Sequence, residues 1–321
     1  MSASYVIRRL LGMIPALFSV LVITFIIVHA IPGDPAQALA GEGADPARVA
    51  QIRHQYGFDQ PLPAQFVDYA GKVVHGDLGV STTYGLPVTT VIQQRLGPTL
   101  LLTGSALAFS AVFALLLGTL AARRPFGKLD AAINGVSLLA YAIPAFWLAQ
   151  IAILIFALHL NVFPLGGYSD ARHQYTGLQQ VIDVAYHLVL PASVLAASEL
   201  ALLTRVSRTG LLRELGQDYA RTARAKGASE RQLLTHHAMR NAMLPVVTVI
   251  GSRIGTLIAG AVVIEAAFGW PGLGSVLVAA ADNSDRQLML GLVLVIAFGV
   301  LLANLITDLL YGWIDPRVRG H

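Results

Sequence analysis

The side chains that could carry chemistry in this sequence are few, and their spacing does not suit catalysis. The chain has no cysteine, which excludes a disulfide framework and thiolate chemistry. It contains no G-x-x-x-x-G-K-S/T phosphate-binding loop, and the adjacent His236 and His237 lack the i, i+4 spacing of a zinc pair. Ser252 lies in an apolar segment with no histidine at a comparable depth to activate it. We therefore predict a protein that is not an enzyme and has no metal site.

Four ionisable residues fall inside long apolar segments, where a charge is costly and is by default a candidate functional group. They are Glu199, Arg253, Glu265 and Asp308. Glu265 and Asp308 lie close to the ends of their segments, so interfacial solvation or a helix cap is the favoured interpretation. Glu199 and Arg253 lie deeper and could pair across two helices. A structural ion pair is favoured over a contact with a transported solute.

A basic hydrophilic segment, Asp218 to Pro245, separates two of the apolar segments. Asp218 suits a helix N-cap, and Gly227 suits the left-handed residue that ends a short helix. Ser229 and Gln232 have the spacing of a capping box, which predicts a second helix that Pro245 ends. Two short helices joined at a glycine favour a docking element. A solvated positive loop and a contact with anionic lipid are the alternatives.

The elements that position these residues are apolar helices. With 55% hydrophobic and 12% charged residues, the chain is more apolar than an ordinary soluble domain. Crossing a hydrocarbon core takes about 20 helical residues, and we predict an all-α integral membrane protein. The six predicted spans lie near Leu10–Ala30, Thr99–Ala121, Ala132–Leu158, His187–Val206, Val246–Phe268 and Leu288–Leu310. The first is too long for a signal peptide and is expected to be retained, and Pro144 is expected to kink the third.

The distribution of lysine and arginine predicts the orientation of these spans, because short cytoplasmic loops are enriched in both residues. Of the 22 basic residues, 15 fall in one set of alternate loops and six in the other, with Arg253 inside a helix. The richer set includes both ends of the chain and the basic segment. We therefore expect both termini and the basic segment to be cytoplasmic.

Two longer loops are then extracytoplasmic. Ile31–Pro98 is predicted to form a small subdomain with a helix around Pro46–Tyr56, because long loops without structure are uncommon. Asn161–Tyr186 is rich in glycine and polar residues, and could reach a soluble partner or line an entrance.

The sequence EAAFGWPGLG, residues 265–274, follows the fifth span. Phe268, Trp270 and Pro271 suit an aromatic belt at the membrane interface. The glycine-rich turn from Gly269 to Gly274 would also let the chain re-enter the membrane or lie against the mouth of a pathway.

The sequence RTARAKG, Arg221–Gly227, followed by RNAMLP, Arg240–Pro245, resembles the cytoplasmic coupling loop of ABC importer permeases. The wider motif of these permeases begins E-A-A-x-x-x-G, of which Ala223 and Gly227 agree, whereas Arg221 and Thr222 depart from it. Both this departure and the late leucine-proline ending resemble the dipeptide/oligopeptide/nickel branch of the family. Further blocks are similar to that branch in order and spacing: IRRLLGMIPALFSVLVITFIIVHAIPGDP, GDLGVS, YAIPAFWLAQIAILIFALHLNVFP, EAAFGWPGLG and NLITDLLYGWIDPRVR.

The resemblance implies a permease subunit of the first-permease type, with the type I ABC importer permease fold. It implies an N-terminal tail and first span over residues 1–31, an extracytoplasmic subdomain over 32–98, and a core permease domain over 99–321. The cytoplasmic coupling loop would be residues 207–245. The implied function is the import of dipeptides, oligopeptides or a related small solute across a bacterial inner membrane.

The implied partners are a homologous second permease subunit, two ABC ATPase subunits and an extracytoplasmic solute-binding protein. ATP and Mg²⁺ would be bound by the ATPases and not by this chain. Membrane lipid surrounds the spans, and no nucleic acid is involved.

The resemblance also implies the sites. The ATPase-coupling residues are expected to be Arg221, Thr222, Ala223, Arg224, Ala225, Lys226, Gly227, Ser229, Arg240, Asn241 and Pro245. The pathway or gate candidates are Glu199, Arg253, Glu265, Phe268, Trp270, Pro271 and Gly272.

Two other classes are open to the same residues. A secondary transporter or channel driven by an ion gradient would need deep carboxylates arranged as a relay, and such transporters often contain an inverted repeat. Glu199 is the only carboxylate near the middle of a predicted span, and no repeat is visible. An intramembrane hydrolase would need a catalytic pair, which the sequence lacks.

Overall fold

The computed structural model describes residues 3–30, 34–41 and 43–314, and in this part of the chain the regular elements are helices. Two short π-helical segments, Ile153–His159 and Leu233–Ala238, continue or precede α-helices. The α-helices are α1 Ala3–Ala30, α2 Pro35–Ala40, α3 Pro46–Gln55, α4 Leu62–Val74, α5 Val88–Arg123, α6 Lys128–Ala142, α7 Ala145–Ala152, α8 Leu178–Leu215, α9 Asp218–Ala225, α10 Glu230–Gln232, α11 Met239–Phe268, α12 Leu273–Asp282 and α13 Arg286–Ile314.

Among the described residues, five helices are long and apolar enough to cross a membrane. These are Leu10–Ala30, Val88–Arg123, Leu178–Leu215, Met239–Phe268 and Arg286–Thr307. A sixth candidate is the pair Lys128–Ala142 and Ala145–His159, whose axes differ by 106°. The prediction of an all-α membrane protein is confirmed.

The third predicted span is broken rather than kinked. Ile143 has the extended angles φ −80° and ψ 128°, and Pro144 follows it at the N-cap position of α7. A residue before proline avoids the α conformation because the proline ring would clash with it. The prediction of one continuous span over Ala132–Leu158 was therefore wrong, although the position of the distortion was correct.

Several helices extend beyond the apolar windows that predict them. Helix α5 begins at Val88 and not near Thr99, and α8 begins at Leu178, inside the predicted loop Asn161–Tyr186. Hydropathy marks only the segment that lies in hydrocarbon, whereas the backbone hydrogen bonds of a helix continue into its polar ends.

The chain divides into two compact units. The first contains residues 100–270 and 302–314. Its core includes Leu102, Leu195, Leu257 and Ile264, all nearly inaccessible to solvent. In this unit α8 packs on α6, α7 and α11, and the apposition of α8 and α11 is close because Gly210 faces the main chain of Ala242.

The second unit contains residues 3–30, 34–41, 43–99 and 271–301. Its core includes Val88, Leu273 and Leu288, together with Phe25 and Tyr69. The helix predicted around Pro46–Tyr56 is confirmed as α3, Pro46–Gln55, and is capped by Asp45. The segment predicted as a loop subdomain therefore packs together with α1, α12 and the start of α13 in one compact unit.

Candidate functional site

The basic segment begins with α9, which ends in a Schellman motif. Gly227 has a φ of +87°, its N–H donates to the Arg224 carbonyl at 2.9 Å, and Ala228 N–H donates to the Ala223 carbonyl at 3.1 Å. The predicted left-handed Gly227 is confirmed. The prediction of Asp218 as N-cap was wrong: Gln217 occupies that position, and the Asp218 side chain is 97% exposed in the first turn. There a carboxylate favours the helix through the macrodipole.

The next helical turn begins at the predicted capping box. Ser229 N–H donates to Gln232 Oε1 at 2.9 Å, and Gln232 N–H donates to Ser229 Oγ at 3.4 Å. The chain then passes through the π-helical segment Leu233–Ala238 into α11. Pro245 does not end this helix, contrary to prediction, but lies within it. The loss of one donor is tolerated because Ala242, one turn before Pro245, and Val246, directly after it, are buried and hold the helix by packing.

Arg224, in α9, is hydrogen-bonded to the end of α8 and to α10. Its Nε and Nη2 donate to the two carboxylate oxygens of Glu230 at 2.7 and 3.3 Å, and its Nη1 donates to the Leu215 carbonyl at 3.2 Å. The hydrogen bond to Glu230 raises the pKa of Arg224, and the same bond lowers the pKa of Glu230. The pair therefore stays charged at neutral pH, and it links the last turn of α9 to α10.

Glu214, at the end of α8, provides a second junction. Its Oε2 accepts hydrogen bonds from Tyr219 Oη at 2.7 Å and from Asn241 Nδ2 at 3.3 Å. Burial and the hydrogen bond to Glu214 raise the pKa of Tyr219. Asn241 was a predicted site residue, whereas Glu214 and Tyr219 were not. The junction connects α8, α9 and α11 through one carboxylate.

One face of the basic segment is packed and the other is exposed. Ala220, Leu211, Leu234 and Ala238 are buried, and the last three belong to one apolar cluster with Ala242. Of the predicted coupling residues, Ala223 is half-buried. The exposed ones are Arg221, Thr222, Arg224, Ala225, Lys226, Gly227, Ser229, Arg240, Asn241 and Pro245. We call residues 214–241 the coupling element, after the role that the sequence predicts for them. Hydrogen bonds of Arg224 and Glu214 join its parts, and its exposed side chains include Arg221, Arg224, Lys226 and Arg240.

A buried ion pair joins the two long helices on either side of the coupling element. Arg253 Nε in α11 donates to Glu199 Oε2 in α8 at 2.6 Å, and Thr256 Oγ1 lies 3.4 Å from Glu199 Oε1. The Glu199 side chain is 5% exposed and that of Arg253 is 29% exposed. The pairing that the sequence allowed is thus present, and Thr256 is an additional polar neighbour.

The chain matches a family model described as the inner membrane component of binding-protein-dependent transport systems, over residues 114–320. The chain belongs to this family. A companion model for the N-terminal part of such membrane components matches residues 2–103 of the permease.

Similar proteins cover nearly the full length of the permease. The dipeptide transport system permease protein of Escherichia coli (strain K12) is 39% identical over 98% of both chains. The oligopeptide transport system permease protein of Bacillus subtilis (strain 168) is 38% identical over 99% of both chains. A glutathione transport system permease protein of Escherichia coli O6:H1 is 38% identical over 98% of this chain and 99% of its own. The chain is thus an ABC importer permease with the type I fold, and such permeases work in complexes with other subunits.

Three pathway candidates of the permease are buried in its core. Glu265, Phe268 and Trp270 are at most 2% exposed. The Trp270 ring packs 5.0 Å from the ring of Tyr168, and Gly167 N–H donates to the Phe268 carbonyl at 2.8 Å. The loop before α8 covers these residues. This burial contradicts the interpretations of Glu265 as interfacially solvated and of Phe268 and Trp270 as an exposed aromatic belt, whereas the helix-cap interpretation of Glu265 stays a prediction.

The turn after α11 is short and is followed by another helix. Gly269 has a φ of +61° and ends α11, and Gly272 is the N-cap of α12. Leu273 N–H donates to Thr99 Oγ1 at 2.8 Å, and Pro271 is half-buried. A gate role for Pro271 and Gly272 stays a prediction.

The sequence analysis missed a second ion pair between helices of the permease, which joins α8 to α6. Arg208 Nε and Nη2, in α8, each donate to a different oxygen of the Asp130 carboxylate at 2.6 Å. The same carboxylate accepts from Phe126 N–H at 2.8 Å and from Asn134 Nδ2 at 2.7 Å. The only local signal was an acidic residue in the first turn of α6, and the pairing itself spans 78 positions of sequence.

Some predicted features lie outside the described side chains. They are His236, His237, Asp308 and the terminal arginines Arg8, Arg9, Arg317 and Arg319.

Proposed function

We propose that this permease imports short peptides across a bacterial inner membrane, with the energy supplied by ATP hydrolysis in partner subunits. The observation that carries the proposal is the coupling element. Its backbone is continuous with α8 and α11, and hydrogen bonds of Arg224 and Glu214 join it to the end of α8 and the start of α11. The names of the full-length relatives, for dipeptide, oligopeptide and glutathione transport, support a peptide as the solute.

On this proposal an ATPase subunit binds the exposed face of α9 and moves it when nucleotide binds. Because Arg224 and Glu214 resist a change of angle, the displacement would pass to α8 and α11 instead of being absorbed in the loop. The two helices would then exchange an inward-open for an outward-open arrangement, with nucleotide and loaded binding protein shifting the equilibrium.

The proposed complex contains a homologous second permease subunit, two ABC ATPases and an extracytoplasmic solute-binding protein. Both termini and the coupling element would be cytoplasmic. ATP and Mg²⁺ would be held by the ATPases. An ion-gradient transporter is the alternative, but its only deep carboxylate by sequence, Glu199, is here in an ion pair with Arg253.

The test is the replacement of Gly227 by valine in the complete complex reconstituted in lipid vesicles. A β-carbon at Gly227 would meet no atom within 4 Å, so its effect inside this chain comes from the left-handed backbone. That conformation costs a non-glycine residue about 1–2 kcal/mol, and the side chain would project into the space that a bound ATPase needs. We expect peptide uptake per ATP hydrolysed to fall about tenfold, equivalent to about 1.4 kcal/mol of lost coupling.

Gly216 provides the matched control, because it is an exposed glycine in the same element with an ordinary φ of −83°. Gly216→Val should leave uptake per ATP within a factor of about two, since about 0.4 kcal/mol corresponds to that factor. Unchanged coupling in Gly227→Val would contradict the proposal. Uptake that follows a proton gradient without any ATPase would replace it with the alternative.

A further inference from the structure

The second unit of the permease contains a cavity of about 470 Å³. Its walls come from the end of α1, from α2, from residues 54–60, from α4, from the loop of residues 77–82 and from the start of α13. Sites for small organic ligands have volumes of about 300–1,000 Å³. The cavity is therefore large enough for a ligand of a few residues.

Specific contacts hold the wall formed by the 77–82 loop against α13. Asp285 is fully buried, and one oxygen of its carboxylate accepts from Ser81 Oγ at 2.5 Å and from Thr83 N–H at 3.0 Å. Gly79 has a φ of +81°, and a β-carbon there would lie 2.9 Å from Gln287 Oε1. The left-handed backbone favours glycine here, and the Gln287 side chain lies against it. This wall is therefore fixed in place by the fold.

The charged residues that line the cavity are balanced. Asp68 and Asp77 are acidic, and Lys72 and Arg286 are basic. Asp68 and Lys72 form an ion pair of 2.7 Å with both side chains more than half exposed, and such pairs contribute at most about 1 kcal/mol. Asp68 and Lys72 can therefore give up their ion pair to bind a ligand at a small cost in free energy. Because the lining has two acidic and two basic residues, it favours a zwitterion over a ligand that has a net charge.

Tyr69 supplies an independent observation that a polar partner is missing. Its side chain lines the cavity and is 7% exposed, and its hydroxyl has no hydrogen-bond partner among the described residues. Burial raises the pKa of Tyr69 to about 12, so the hydroxyl keeps its proton at neutral pH. An unsatisfied buried hydroxyl costs about 1–3 kcal/mol. The hydroxyl itself is buried, so a ligand reaches it only when the Tyr69 side chain turns towards the cavity, and a hydrogen bond to the ligand would then remove this penalty.

We propose that this cavity binds a short zwitterionic peptide, with its carboxylate near Arg286 and Tyr69 and its ammonium group near Asp68 and Asp77. The inference rests on the proposed function in that it gives the imported solute a binding site within the permease. With both termini cytoplasmic, the site is extracytoplasmic, where it would hold a peptide released by the binding protein before translocation.

The absence of cysteine allows a direct occupancy test with the full chain in lipid nanodiscs, without binding protein. Thr82 lines the cavity, and Ala64 is an exposed residue of α4 outside it. Thr82→Cys is labelled with a maleimide in increasing concentrations of dialanine, with Ala64→Cys as the matched control. We expect dialanine to slow labelling at Thr82→Cys only. Acetylated dialanine amide, which has no charges, should not protect.

Two substitutions test the assigned contacts in the Thr82→Cys background. Arg286→Gln should raise the half-protecting dialanine concentration about tenfold, equivalent to about 1.4 kcal/mol. Tyr69→Phe removes only the hydroxyl and should raise it about threefold, since about 0.7 kcal/mol corresponds to that factor. Arg48→Gln, at an exposed position outside the cavity, should leave it unchanged.

Several outcomes would overturn the proposal: no protection by dialanine, equal protection by the uncharged analogue, or equal protection of both cysteines. Uptake of labelled dialanine by the complete complex is measured separately. Uptake without protection refutes the cavity site and leaves the proposed function standing. Protection without ATP-dependent uptake refutes the proposed function and leaves the cavity as a peptide site.

Discussion

The Glu199–Arg253 pair joins the two helices that enter and leave the coupling element. A buried carboxylate is stable only when a cation or several donors compensate its lost hydration, and removing one member of a buried pair costs about 3–5 kcal/mol. We expect Arg253→Met to lower the free energy of unfolding by about 3 kcal/mol, the lower end of that range, because the Arg253 side chain is 29% exposed. Adding Glu199→Gln should restore most of this loss. Chemical unfolding in mixed micelles measures both effects.

The same pair of variants separates structure from transport. If the ion pair only holds α8 against α11, the double variant should regain peptide uptake along with stability. Strictly additive losses of stability would show that the two residues do not interact. Restored stability with abolished uptake would instead assign Glu199 a direct part in solute or proton movement.

Close packing of α5 on α8 depends on one glycine. A β-carbon at Gly118 would lie 2.6 Å from Ser207 Cβ and 3.1 Å from the Arg208 amide nitrogen, whereas one at Gly104 of the same helix would meet nothing within 4 Å. Overpacking costs about 1–3 kcal/mol, but alanine in an open helical position gains up to about 1 kcal/mol over glycine. Gly118→Ala should therefore lower the midpoint of thermal unfolding, and Gly104→Ala should leave it unchanged or raise it.

The glycine pair distinguishes packing from helix propensity by the sign of the effect. A rise in the unfolding midpoint for both variants would mean that propensity dominates and that α5 can move away from Ser207. Equal losses for both would mean that Gly104 also lies at a tight contact.

Local sequence signals predicted the parts of the coupling element that depend on local chemistry. The left-handed conformation of Gly227 and the Ser229–Gln232 capping box each arise within about one helical turn, so residue type and spacing were sufficient. The position of Pro245 was misjudged for the opposite reason. Whether a helix continues through a proline depends on tertiary packing, here of Ala242 and Val246, which a local pattern does not contain.

Long-range contacts account for the remaining differences between prediction and structure. Hydropathy placed the membrane spans but could not show that the loop around Tyr168 covers Trp270, so an aromatic residue near a span end was taken for an interfacial one. The Asp130–Arg208 ion pair was not predicted, because its members are far apart in sequence and each has an ordinary local explanation. Pairings of this kind become visible only when the helices are assembled.

The orientation of the whole chain decides whether the coupling element can reach an ATPase. The bias of lysine and arginine predicts that residue 225 is cytoplasmic and residue 171 extracytoplasmic, and both alanines are exposed. In the cysteine-free background, Ala171→Cys should react with a membrane-impermeant maleimide in intact cells whose outer barrier has been opened. Ala225→Cys should react only after the inner membrane is dissolved in detergent. The unsubstituted chain, which has no thiol, gives the background labelling. The opposite pattern would place the exposed face of α9, with Arg224, outside the cell, where no ATP-hydrolysing subunit works. The coupling proposal would then fail whatever the effect of Gly227→Val.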